Sequence, residues 1–134
     1  MHHRRRSVTA LILAALIAWP YTMPDAQAQA GGSCALGTLV PTGFEVDTVS
    51  STAVGATASK LTSATGRSIS YIYGYVATDA IRVRDDGENP TASVGQPVAA
   101  GERFEVCGIK AAQQFRMIRV TTNASVSLSF YSGE

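Results

Sequence analysis

Residues 124–131 read Ala-Ser-Val-Ser-Leu-Ser-Phe-Tyr. Ala124, Val126, Leu128 and Phe130 alternate with Ser125, Ser127, Ser129 and Tyr131, a period of two. Side chains of a strand point alternately to its two faces, so this stretch has an apolar face for a core and a hydroxyl face for solvent. The same period recurs upstream. Ile69, Tyr71, Tyr73 and Tyr75 alternate with Ser68, Ser70, Ile72 and Gly74. Ile81 and Val83 alternate with Arg82 and Arg84, Phe104 and Val106 with Arg103, Glu105 and Cys107, and Phe115 and Met117 with Arg116 and Ile118.

Turn chemistry separates these runs. Thr65-Gly66-Arg67, Asp85-Asp86-Gly87, Asn89-Pro90, Gly95-Gln96-Pro97 and Ala100-Gly101-Glu102 all interrupt a strand, and Thr122-Asn123-Ala124 reads as a tight turn between the last two. Ala111 to Gln114 is long enough for one helical turn only, and residues 52–65 are small and polar, a strand pair or an extended loop. About seven or eight short strands at roughly ten-residue spacing predict an all-β chain, an antiparallel β-sandwich or jelly roll.

The N-terminus has a different composition. Arg4, Arg5 and Arg6 precede an apolar run from Val8 to Trp19, then Pro20 and Pro24, and Ala-x-Ala patterns at 26–28 and 28–30. This is the pattern of a signal helix that is removed after export. Twelve helical residues span about 18 Å, short of the roughly 30 Å hydrocarbon core, so an anchor is the poorer reading. The expected division is a signal peptide over 1–30 and a β-sandwich domain over 31–134. That domain is exported across the inner membrane, to the periplasm, the medium or a particle surface, and meets membrane only through its signal segment.

Both histidines, His2 and His3, belong to the leader, so residues 31–134 contain no imidazole. Nucleophilic Ser-His-Asp or Cys-His catalysis needs one to move the proton. With eight cations against nine carboxylates the domain carries a net charge of −1, which disfavours nucleic acid as a partner. No enzyme is expected. Cys34 and Cys107 are the two cysteines, an even count in an exported chain. A disulfide between them would stabilise by roughly 4 kcal/mol through loop closure; two buried thiols are the alternative.

Three features are candidate surfaces. Asp85, Asp86, Glu88 and Asn89 form the densest acidic cluster, a solvated turn or a weak calcium site; no other cofactor is indicated. Arg82, Arg84, Arg116 and Arg119 read as an outer sheet face salt-bridged to Glu105 and Asp85. Tyr71, Tyr73 and Tyr75 share one strand face, which suits half-buried core and also a flat aromatic platform for a protein or a glycan.

The stretch Ala80-Ile-Arg-Val-Arg-Asp-Asp-Gly-Glu-Asn-Pro-Thr-Ala-Ser-Val-Gly95, with Ala100-Gly101-Glu102, Phe115-Arg-Met-Ile-Arg119 and the strand 124–131, resembles a small β module of tailed-phage and prophage virion proteins. The likeness covers residues 69–131. It implies a non-enzymatic decoration or fibre-type module that works by self-assembly or by binding protein partners. The alternative expectation is a secreted bacterial carbohydrate-binding or adhesin-like sandwich. The expected working surface is Tyr71, Tyr73 and Tyr75 with Asp85, Asp86 and Asn89.

Overall fold

The computed structural model describes residues 37–133; the expected leader and Cys34 lie outside them. Seven strands form two antiparallel sheets. In chain order they are β1 (Leu39–Val49), β2 (Tyr71–Val76), β3 (Ile81–Arg84), β4 (Gln96–Val98), β5 (Arg103–Cys107), β6 (Arg116–Arg119) and β7 (Ala124–Gly133). One helical turn, α1 (Ile109–Gln114), follows β5, and a 3-10 turn occupies Ala58–Lys60. The four-stranded sheet runs β1-β7-β2-β5 and the three-stranded sheet β4-β3-β6. The all-β class is thus observed as the alternation predicts. Among the described residues no helix is long and apolar enough to cross a membrane.

The core lies between the sheets. Val126, Leu128 and Phe130 of β7 are fully buried, as are Ile72 and Val76 of β2, Ile81 of β3 and Met117 of β6. Phe104 and Phe115 stack with centroids 5.6 Å apart, joining β5 to the residue after α1. β2 approaches β5 closely because Gly74 faces Phe104 in register and leaves room for its ring.

The chain changes sheet at several points. After β1 it leaves the four-stranded sheet and lines the outer edge of β6. The Val54 amide donates to the Met117 carbonyl (2.9 Å), the Met117 amide to the Val54 carbonyl (2.7 Å), and the Arg119 amide to the Ser50 carbonyl (3.1 Å). These bonds satisfy backbone groups that a bare edge would present. The opposite edge, β4, is only three residues long and contains Pro97, which has no amide to offer. The turn expected between the last two strands is not a hairpin. It carries the chain from β6 in one sheet to β7 in the other, and the Ser125 amide is received by the Thr78 hydroxyl at 2.9 Å.

β1 is not visible in the alternation read from the sequence. It is an edge strand whose apolar Phe44 and Val46 point outward while Glu45 and Asp47 point inward, opposite Leu128 and Val126. A bulge between Pro41 and Gly43 sets this phase, and the Thr42 hydroxyl donates to the Phe130 carbonyl there at 3.0 Å.

Candidate functional site

The alternation of β2 fixes the tyrosines. Ile72, Gly74 and Val76 face the core, so Tyr71, Tyr73 and Tyr75 stand on the outer face of the four-stranded sheet. Their exposure is graded: Tyr71 is 8% exposed, Tyr73 is half-buried and Tyr75 is 39% exposed. The row therefore stands on the outer face, buried at its Tyr71 end, half-buried at Tyr73 and open only at Tyr75. Ile69, read onto the same face, is buried in the core instead; it precedes the strand and its amide donates to the Leu61 carbonyl.

Strand register extends the face sideways. Phe44 of β1 lies opposite Ser129 of β7, Ser129 opposite Tyr73, and Tyr73 opposite Glu105 of β5. One step along, Val46, Ser127, Tyr75 and Arg103 form the next row. Phe44 is 57% exposed and Val46 58%. The two ridges, β1 and β2, flank β7, whose outward residues here are serines. The result is a shallow trough with apolar and aromatic walls and a hydroxyl floor. At the end of the face, Pro41, Tyr131, Tyr71 and Cys107 form a third row, with the Tyr71 and Tyr131 rings 5.5 Å apart and tilted by 51°.

Two groups on this sheet have displaced pKa values. The Tyr71 phenol is pushed up to about 12, first by burial and then by the nearby Glu105 carboxylate. Asp47, on the inner side of β1, is raised by burial and then by Glu45. Glu45 accepts the Thr57 amide at 3.0 Å, whereas Asp47 Oδ2 is buried with no hydrogen-bond partner among the described residues.

The 85–89 loop lies elsewhere, after β3 in the smaller sheet, and all five residues are exposed. Gly87, at φ 94°, takes the left-handed conformation its turn requires. Asp86 pairs with Arg84 and also accepts the Glu88 amide at 3.2 Å. The Arg84 guanidinium holds the Asp86 carboxyl below its usual range. With Asp86 so engaged the cluster converges on no common point, and no group of three acidic, histidine or cysteine side chains among the described residues is arranged for a metal. Asp85 and Asp86 instead line a cleft of about 220 Å³ between the sheets, with Gln96, Phe104 and Glu105. Glu105 thus borders both the cleft and the tyrosine face, whereas Asn89, exposed on the loop, does not line the cleft.

The arginines do not pair as expected. Arg82 donates to the Gly95 carbonyl (3.0 Å), Arg116 to the Phe115 carbonyl (2.7 Å) and Arg119 to Asn123. Arg84–Asp86 is the one ion pair among the described residues, and neither Glu105 nor Asp85 takes part. Arg82 and Arg116 sit beside backbone carbonyls, which accept from a guanidinium without supplying a second charge.

The sequence reading missed Phe44 and Val46. Their signal is the Phe-Glu-Val-Asp alternation itself, but an amphipathic strand is ordinarily read with its apolar side inward. Cys107 is not a free thiol, and it lies on the outer face of β5. Comparisons with family models, curated proteins and solved structures return no match for the chain.

Proposed function

We propose that the chain is an exported, non-enzymatic assembly module that docks protein through the outer face of its four-stranded sheet. The observation that carries this is the pair Phe44 and Val46, more than half exposed and in register with Tyr73 and Tyr75 across the serines of β7. Fully burying a large apolar side chain contributes about 1.5–3 kcal/mol. Leaving two of them on a flat face is costly unless a partner covers them. The likeness of residues 69–131 to virion surface modules supports the same reading, as does the absence of any imidazole from residues 31–134.

Sedimentation of the exported chain over a wide concentration range tests it. Association is expected to be lost in Phe44→Lys and Val46→Lys, with unchanged far-UV spectra because both side chains face solvent. A chain that stays monomeric at high concentration and behaves identically in both variants overturns the proposal. A second reading, glycan binding, is favoured by the hydroxyl floor of Ser125, Ser127 and Ser129 beside aromatic rings on which a sugar can stack. A glycan array with Tyr73→Ala as control separates the two.

A further inference from the structure

Two neighbouring rows of the outer face mirror each other in chemistry. They are Phe44–Ser129–Tyr73–Glu105 and Val46–Ser127–Tyr75–Arg103, followed from β1 across β7 and β2 to β5. On every strand they are two residues apart, about 7 Å. Column by column they match: apolar with apolar in β1, hydroxyl with hydroxyl in β7, phenol with phenol in β2. In β5 they differ, and the difference is one of sign. Glu105 and Arg103 are both exposed, on either side of the buried Phe104. Among the described residues neither takes part in an ion pair.

A face with this pattern is complementary to itself in one orientation. In an isologous pair the same patch serves both partners, related by a two-fold axis. For two sheets packed face to face that axis lies in the plane between them. Run across the strands, midway between the two rows, it lays each strand over its own copy, reversed, and each row over the other row. Phe44 then meets Val46, Tyr73 meets Tyr75 and Glu105 meets Arg103 of the second copy, each contact made twice. Packed sheets stand about 10 Å apart and cross at about 30°, and an arginine with a glutamate is long enough to bridge that gap. The nearest alternatives lose the match. Moved onto the Tyr73 row, the axis sets Glu105 against Glu105. Run along the strands between β7 and β2, it lays β1 over β5, so that Phe44 covers Glu105 and Val46 covers Arg103. Both charges would then lose water without gaining a partner.

We propose that the partner docked on this face is a second copy of the chain, related by a two-fold axis across the strands between the Tyr73 and Tyr75 rows, with Arg103 and Glu105 making two reciprocal ion pairs on the β5 side. This rests on the docking reading above and adds the partner and its orientation. Phe44, Val46 and the two tyrosines supply the attraction. The charges fix which way round the copies meet, because like charges brought together at an interface oppose association. A closed pair also ends assembly through this face at two chains, since the patch is matched on both sides.

Charge reversal with sedimentation equilibrium of the exported chain tests the orientation. Arg103→Glu alone and Glu105→Arg alone should each weaken self-association roughly tenfold or more, because both ion pairs become like-charge contacts. An equimolar mixture of the two variants should associate about as tightly as the wild type, since every contact is again between opposite charges. So should a chain carrying both reversals. Recovery in the mixture also excludes misfolding as the cause of the loss. In each case the mass should stop at that of two chains. Single variants that associate as the wild type does overturn the two-fold pairing, as does a mixture as weak as its components or a mass that keeps growing with concentration. The docking reading fails separately. It falls if Phe44→Lys leaves association intact; the two-fold pairing falls alone if Phe44→Lys abolishes association and the charge reversals do not. A wild-type chain that is monomeric throughout overturns both.

Discussion

Gly74→Ala puts one methyl where the Phe104 ring now lies. The added carbon would be 2.5 Å from Phe104 Cε2 and closer still to Cζ and Cε1. Real methyl contacts are not that short, so the ring or the strand must move. The ring has little room: Phe104 is buried, and it stacks on Phe115, which is fully buried itself. Overpacking of this kind costs about 1–3 kcal/mol. In a domain of this size each kcal/mol lowers Tm by roughly 4–8 °C, so thermal unfolding followed by circular dichroism should show a fall of several degrees to roughly 20 °C. A shorter side chain opposite should relieve the clash: Gly74→Ala with Phe104→Leu should be less destabilised than the two single changes added together. The effect also reaches the face. Pushing β2 away from β5 displaces Tyr73 and Tyr75, whose partners in β5 are Glu105 and Arg103. An unchanged Tm in Gly74→Ala, or strict additivity in the double variant, would refute the close approach on which this reasoning rests.

Asp47→Asn should raise stability at neutral pH. Burial and Glu45 raise the Asp47 pKa, so the folded chain holds this proton more tightly than the unfolded chain does. The stability available with Asp47 protonated is lost as pH rises from its ordinary value near 3.8 through the raised one. Comparing Tm across acid and neutral pH in both proteins should show a smaller decline for the Asn variant; parallel curves would contradict it. The Tyr71 phenol should ionise near pH 12 in a spectrophotometric titration, a step that Tyr71→Phe removes. Its share of stability is lost as pH rises from about 10 to about 12. Glu105→Gln should bring that step down, and an unmoved step would remove Glu105 as a cause. Asp86→Asn, on an exposed pair with Arg84, should lower Tm slightly at low salt and hardly at all at high salt, with the effect fading as pH falls through the lowered Asp86 value. A large, salt-independent loss would mean that the loop has a further role.

The sequence was most legible where one face of a strand is buried. The 124–131 alternation appears as β7, with Val126, Leu128 and Phe130 inside and the serines outside. Arg82 and Arg84 share one face of β3 as their spacing implies. The single helical turn after β5 is present and slightly longer than read. The face of the tyrosine row was harder to read, because Ile72 and Gly74 interleave with it and both sides of β2 are apolar. Exposure there depends on what lies above the sheet, and only the arrangement of neighbouring strands supplies that. The arginine partners were misread because a carboxylate was sought on the facing strand, while carbonyls of Gly95 and Phe115 were closer.

By itself the sequence determined the strand period, most of the turns between strands and the lack of an imidazole in residues 31–134; Gly95-Gln96-Pro97, read as a break, instead leads into β4. These are properties of covalent chemistry and of near neighbours along the chain. The tertiary structure alone decided that β1 lies beside β7, Val49 opposite Ala124, 75 positions later, with Phe44 and Val46 outward. A period of two states that two faces differ, but not which one meets the core. The bulge at Pro41–Gly43 and the pairing with β7 set that phase, and through it the composition of the outer face.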